Sequence, residues 1–188
     1  MNSVSKKEHL RQLCKQALQQ FCSKPNSAAR AVAESQIQKN ILTYVSAHCG
    51  VWGAFRPMGF EPHIEGALKQ VSGLQWAYPR MQEDLIQWWV PGAQGFTQST
   101  LGFEEPVADS ATQVATKDLQ GILIPGLGFD SKGVRLGRGQ GHFDKSLNAY
   151  TGTKIAVAFA CQLVDEIPVE AHDVKMDFVI TENAVIAC

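Results

Sequence analysis

The chain has 188 residues, 45% of them hydrophobic and 19% charged, with a formal net charge of −1. That length suits one domain with a substantial core, and the near-neutral balance excludes the broad positive field that nucleic acid or an anionic membrane would call for. Any anion site must be a local patch. The N-terminal M-N-S-V-S-K-K-E-H-L is polar, without the apolar core of a secretory signal. No apolar run approaches membrane-span length, and the five cysteines contain no C-x-x-C pair. We expect a cytoplasmic protein with reduced thiols, no zinc site and no disulfide framework.

Ser5-Lys6-Lys7-Glu8 fits a capping box, and Leu10, Leu13, Cys14, Ala17, Leu18 and Phe21 recur at helical spacing, so an amphipathic helix is predicted over 5–22. Pro25-Asn26-Ser27 breaks the chain and caps a second helix over 27–45, with Ala33, Ile37, Ile41 and Tyr44 as its buried stripe. Residues 51–55 read as a strand ended by Arg56-Pro57, and Glu61 follows a turn at the start of a third helix, 62–71. Strands are predicted at 74–78, closed by Pro79-Arg80, and at 84–90, where Trp88 and Trp89 sit. Residues 91–118 are rich in Gly, Ser, Thr, Gln and Ala, have little periodicity and read as a long surface connection.

Ile122-Leu123-Ile124 is the apolar run expected of a strand buried on both faces. A helix is predicted from about Gly141, with Phe143, Leu147 and Tyr150 on one face. A strand at 154–161, a turn or short helix at 163–170, and strands at 176–181 and 184–187 complete the chain. The alternation implies an α/β protein: a single-domain layered sheet over 1–188, largely parallel in the middle, with helices on both faces, a Rossmann-like open sheet. Ligands of such sheets collect beyond the carboxyl ends of the strands.

That position falls on Gly126–Gly141, which holds six glycines with Arg135 and Arg138 among the last four. Glycines let backbone N–H groups approach an anion, and guanidinium forks suit phosphate oxygens. The loop is neither a G-x-x-x-x-G-K-[ST] phosphate loop nor a G-x-G-x-x-G fingerprint, and the chain has no G-x-S-x-G or H-E-x-x-H. From spacing alone it is a nonstandard phosphate loop, and Arg138 is expected to face solvent.

The run P-G-L-G-F-D-S-K-G-V-R-L-G-R-G-Q-G-H-F-D at 125–144 resembles, without a gap, the 5-formyltetrahydrofolate cyclo-ligase signature, approximately P-G-x-x-F-D-x-x-G-x-R-L-G-x-G-x-G-Y-Y-D. K-E-H-L-R at 7–11, Glu61, Y-P-R at 78–80, E-E-P at 104–106 and I-P-V-E-A-H-D-V-K-M-D-F-V-I-T at 167–181 extend the likeness over nearly the whole chain. The resemblance implies a ligase of one-carbon metabolism that couples ATP hydrolysis to closure of 5-formyltetrahydrofolate into 5,10-methenyltetrahydrofolate. By similarity Lys7, Arg11, Arg135, Leu136, Gly137, Arg138, Gly139, Gln140, Gly141, His142 and Phe143 would bind ATP, with Arg138 and Arg135 catalytic. Arg56, Glu61 and His142 would bind the folate, and Asp144 and Asp173 would hold Mg²⁺.

Read without the resemblance, Lys7 and Arg11 are solvated helix residues, Asp144 is a first-turn helix acid and Asp173 a turn residue. Trp52, Trp76, Trp88 and Trp89 are expected to pack in the core or its rim rather than stack on a pterin. His142-Phe143 stands where the family pattern has Tyr-Tyr, and Glu61-Pro62-His63-Ile64 lacks the threonine that often follows the glutamate by three. The expected partner is the small-molecule folate, with or without a polyglutamate tail; nucleic acid and membrane are not expected, and the state is monomer or weak homodimer. The alternative reading is a diverged relative that binds folate or nucleotide with little turnover, and outside the family stands an unrelated phosphotransferase on a similar sheet.

Overall fold

The computed structural model describes residues 3–23, 27–100 and 102–188, so the Pro25-Asn26 break and Leu101 lie outside the described residues. Two long helices come first, α1 (Ser3–Phe21) and α2 (Ser27–Val45). Helix α1 begins two residues before Ser5, so the capping-box pattern lies within its first turn rather than at its cap. In α2 the residues Ala33, Ile37, Ile41 and Val45 are buried at a spacing of four, so Val45 takes the place predicted for Tyr44.

The strands that follow are β1 (Gly50–Gly53), β2 (Leu74–Gln82) and β3 (Leu85–Val90), with a one-turn helix α3 (Glu65–Leu68) between the first two. The predicted helix over 62–71 is therefore cut to four residues. Strand β2 runs on through Pro79-Arg80 instead of ending there. Strand β1 pairs with β2 only over 74–77, so Pro79 stands where β2 has one neighbour, β3, and a missing N–H is tolerated.

The segment 91–118 is not an unstructured connection. It contains β4 (Phe96–Gln98) and β5 (Glu104–Pro106), which form a separate antiparallel ribbon, then β6 (Thr112–Val114), which joins the main sheet beside β3, and a 3-10 turn at Thr116–Asp118. Strand β7 (Gly121–Ile124) is buried throughout, as its apolar run predicts. A small hairpin of β8 (Gly128–Phe129) and β9 (Arg135–Leu136), helix α4 (His142–Leu147), β10 (Thr153–Val157), β11 (Phe178–Ile180) and β12 (Val185–Ala187) complete the order. Residues 163–170 carry no helix.

The eight-stranded sheet has the order β12-β11-β10-β7-β1-β2-β3-β6. The strands from β11 to β2 pair in parallel, and β12, β3 and β6 are antiparallel edges. Alternation divides the core in two. Leu123, Ile155 and Val157 point to the face covered by α1 and α2, with Trp52, Ile37 and Ile41. Ile122, Ile124 and Ala156 point to the other, with Leu147 of α4, Tyr150 and Trp88. No described helix is long and apolar enough to cross a membrane, and all five cysteines are free.

One buried acid shapes the chain after β7. Asp130 is 1% exposed; its Oδ1 accepts from the backbone N–H groups of Lys132 and Val134, and its Oδ2 from that of Ile167. It closes the turn of the β8–β9 hairpin and ties it to the 163–170 loop. Asp130→Ala leaves three donors without that acceptor, and we expect a loss of about 3 kcal/mol in urea unfolding; a loss within ~0.5 kcal/mol would contradict this role.

Candidate active site

The parallel strands β1 and β7 deliver their carboxyl ends side by side: Ala54-Phe55-Arg56 from one, Pro125-Gly126 from the other. Two cavities open there and share a wall. A cleft of about 270 Å³ is bordered by Phe55, Met58, Pro79, Met81, Ile86 and Phe103, with Arg56, Glu61, Arg138, Gln140, His142 and Phe143 as its polar and aromatic additions. A smaller, polar pocket of about 130 Å³ is bordered by Lys7, Arg11, Leu136, Gly139, Asp144, Glu170, His172 and Asp173. Gly137, Gly141 and Arg135 border both.

The common wall is the loop between β9 and α4. Gly139 (φ 104°) and Gly141 (φ 69°) adopt backbone conformations that side chains disfavour, and Gly141 precedes the first residue of α4. Gly137, Gly139 and Gly141 of this loop border the polar pocket. Helix α1 reaches it from outside: Arg11 Nε donates to the Gly137 carbonyl at 3.1 Å, and Arg11 Nη1 to Glu8 at 3.0 Å.

Arg135 is the buried cation of the wall. Its Nη2 donates to Asp144 Oδ2 at 3.0 Å, its Nη1 to the Pro125 carbonyl at 3.4 Å, and its guanidinium lies 5.1 Å from the Phe143 ring centroid. Its Nε has no hydrogen-bond partner among the described residues. Burial lowers its pKa and Asp144 counters that shift, but an arginine stays charged in either case.

Glu61 lies in the cleft between β1 and α3, its side chain 9% exposed. Its Oε2 accepts from the Met58 N–H at 2.9 Å and its Oε1 from Arg138 Nη2 at 2.8 Å. Burial pushes the Glu61 carboxyl above its ordinary value, against the opposing pull of Arg138 and the Met58 N–H. Arg138 is half-exposed rather than fully solvent-facing, because it closes over this carboxylate. Arg56 sits on the same wall: Nε donates to Glu104 Oε2 at 2.8 Å, Nη2 makes a second contact with the same oxygen, Nη1 approaches Glu65 at 3.5 Å, and the guanidinium covers the Phe96 ring. Arg80 donates to the Pro106 carbonyl at 2.6 Å, so the β4–β5 ribbon is held against the cleft by two arginines.

At the floor of the polar pocket Lys7 is 6% exposed and donates to Asp173 Oδ2 at 2.7 Å and Glu170 Oε2 at 2.9 Å. Burial works against the ammonium, but its bonds to the two acids outweigh that and raise its pKa. Ligand atoms of Glu170, His172 and Asp173 lie within 4.8 Å of one another, close enough to share a metal ion. With Asp144 on the same pocket, the donors are mainly carboxylate oxygens, which fit a hard divalent cation.

Every residue proposed for the site from the sequence borders one of the two cavities. Arg138, Gln140, His142 and Phe143 border the cleft, whereas Lys7, Arg11, Asp144 and Asp173 border the polar pocket. The four tryptophans border neither, and Trp52 and Trp88 are core residues. Sequence reasoning passed over Glu170 and His172, which lie three and one residues before Asp173 in the same motif, and over Glu65 and Phe103. It quoted Glu104 only as part of a motif and gave it no partner.

The family model described as the 5-formyltetrahydrofolate cyclo-ligase family matches residues 4–182. The chain is 34% identical over 140 residues to a 5-formyltetrahydrofolate cyclo-ligase of Mycolicibacterium smegmatis, covering 68% of this chain and 71% of that protein. It is 40% identical over 90 residues to the Mus musculus protein of the same name, covering 43% of this chain and 42% of that one. Among solved structures, a 5,10-methenyltetrahydrofolate synthetase of Aquifex aeolicus has a TM-score of 0.80 at 24% identity, over 96% of this chain and 92% of that one. One of Mycoplasma pneumoniae has a TM-score of 0.71 at 20% identity, over 94% and 98%. These two likenesses establish the shared fold.

The Lys7 bridge yields a stability prediction. Lys7→Met leaves Asp173 buried without its cation, and we expect a loss of about 3 kcal/mol in urea unfolding at neutral pH. Since the folded pKa of Lys7 lies above 10.5, the bridge contributes fully below that pH and fades as pH rises through the folded value. A loss under ~1 kcal/mol at neutral pH would contradict the bridge.

Proposed function

Because the chain belongs to the 5-formyltetrahydrofolate cyclo-ligase family, we propose that it closes 5-formyltetrahydrofolate into 5,10-methenyltetrahydrofolate while converting ATP to ADP and phosphate. One observation carries the assignment to this site: a single glycine loop walls both an apolar cleft ending in a buried carboxylate and a polar pocket lined by cations and acids. A reaction between a ring substrate with a hydrogen-bonding edge and a polyphosphate needs such adjoining compartments.

Chemistry sets the order of events. The formyl oxygen on N5 is a poor leaving group, so it first attacks the γ-phosphorus, and ADP departs with the electrons of the broken P–O bond. N10 then bonds to the formyl carbon and loses its proton, and phosphate leaves with the former formyl oxygen. The protein's task is alignment and charge stabilisation. In this reading Glu61 accepts hydrogen bonds from the donor edge of the pterin, a pairing suited to a carboxylate. Phe55, Met58, Met81 and Phe103 enclose the ring and exclude water. Arg56 and His142 contact the remainder of the folate, the His142 imidazole offering a hydrogen bond where the family pattern has a phenol.

The nucleotide phosphates lie along Gly137–Gly141, with Lys7 and Arg11 at their outer side. Arg135, fixed by Asp144 and shared by both cavities, faces the phosphoryl group in transit, and Arg138 completes its neutralisation. Asp144 and Asp173 would hold Mg²⁺, a hard cation matched to carboxylate and phosphate oxygens, which when bound offsets phosphate charge. The folate cleft accommodates the ring system, and a polyglutamate tail would extend outward from it.

The direct assay mixes the protein with 5-formyltetrahydrofolate, Mg²⁺ and ATP and follows the absorbance of the methenyl product. ATP-dependent formation is expected; folate binding without any ATP-dependent signal would replace the enzyme reading with that of a non-turning binder. Arg138→Ala is expected to lower kcat about 10²- to 10³-fold, with unchanged far-UV circular dichroism; unchanged turnover would remove Arg138 from the reaction. Glu61 must be ionised to accept two donors, and its pKa is raised by burial. Hence kcat/KM for the folate should fall with pH through a value above the ordinary glutamate range, and a limb at or below that range would contradict Glu61 as the acceptor.

A further inference from the structure

Glu61 and Arg138 serve different substrates in the reaction just described, yet in this structure they hold each other, 77 positions apart in the chain. Arg138 borders the cleft and not the polar pocket, although its neighbours Gly137 and Gly139 both border the polar pocket. We propose that Glu61, besides receiving the pterin, is a positioning residue that holds Arg138 in the cleft until a folate displaces it, so that folate and nucleotide bind synergistically. The inference rests on the ATP-dependent cyclo-ligase reading and adds a coupling between its two sites.

The geometry gives the direction of the coupling. Glu61 is the buried partner and Arg138 the half-exposed one, so the guanidinium lies on the solvent side of the carboxylate. One Glu61 oxygen holds the Met58 N–H and the other holds Arg138. A pterin edge that needs both oxygens as acceptors competes directly with Arg138 for Oε1. Pulling Arg138 away with nothing in its place would leave a buried carboxylate without a charged partner, which is strongly unfavourable. A folate whose N–H groups take over that oxygen cancels this cost. Gly137 and Gly139 flank Arg138 and carry no side chains to obstruct it. With Gly137 held through its carbonyl by Arg11, redirection toward the phosphates falls to the Arg138 side-chain torsions and to Gly139, whose positive φ suits a glycine. A nucleotide that meets the enzyme first must instead break the ion pair unaided.

The test is calorimetric titration of the full chain with the β,γ-imido analogue of ATP and Mg²⁺, alone and with saturating 5-methyltetrahydrofolate. That folate keeps the pterin donor edge and lacks the formyl oxygen. The nucleotide Kd is expected to tighten about five- to tenfold when the folate is present, and the folate Kd by the same factor when the nucleotide is present. Arg138→Ala should abolish the difference, and Glu61→Gln should tighten nucleotide binding in the absence of folate. Equal or weaker nucleotide binding in the presence of folate, with both ligands bound and ATP-dependent turnover intact, overturns the coupling alone. Absence of ATP-dependent turnover and of nucleotide binding overturns the cyclo-ligase reading and the coupling with it. The wild-type comparison decides the matter without any variant that must fold.

Discussion

The site depends on a permanently charged guanidinium held between two cavities. Arg135 is 8% exposed, and an arginine cannot shed its proton to escape the desolvation that burial imposes. The surroundings must therefore supply the compensation. Asp144 gives a charged partner from the first turn of α4, Pro125 a carbonyl from the end of β7, and Phe143 an aromatic face. Each of these comes from an element fixed by the core: β7 is buried throughout, and α4 is anchored by Leu147 against Ile122 and Ile124. The sheet therefore fixes the position of the charge.

The same logic extends outward in two directions. Toward the polar pocket, Arg11 pins the glycine loop by the Gly137 carbonyl and Lys7 cross-links α1 to Asp173 and Glu170. Helix α1 packs through Cys14 and Leu18 into the core on that face of the sheet, so the glycine loop is braced by an element with its own core contacts. Toward the apolar cleft, charge is again held in pairs, Arg138 with Glu61 and Arg56 with Glu104 and Glu65. Fixed, paired dipoles around a cavity are what makes charge stabilisation effective during phosphoryl transfer. Gly139 and Gly141, with their positive φ values, turn the loop within this frame.

How much of this was legible in the sequence follows from the range of the interactions. The buried run of β7 and the spacing-of-four stripe on α2 are local patterns, and they give the middle of the sheet and the face that α2 covers. The glycine-rich loop is local too, since its glycines and arginines lie within one short stretch of the chain. Strands β4, β5 and β6 are three residues each and rich in polar side chains; they are held by pairing, and the β4–β5 ribbon also by Arg56 after β1 and Arg80 of β2, so they leave no periodic trace. Strand β2 hides in the same way, because Pro79 reads as a stop unless its free side is known. The pairings at the site lie furthest from view. Lys7 and Asp173 are 166 positions apart, and nothing near either residue announces the other, which is why Lys7 and Asp173 first look like a solvated helix residue and a turn acid.

The central claim is that one loop, with Arg135 at its root, unites a folate cleft and a phosphate pocket in a single reaction. Parallel measurement of inorganic phosphate and methenyl product from the same reaction tests this most directly. The account predicts one phosphate released per methenyl formed, and negligible phosphate release when 5-formyltetrahydrofolate is omitted. Phosphate released at a comparable rate without the folate, or methenyl formed without matching phosphate, would contradict it.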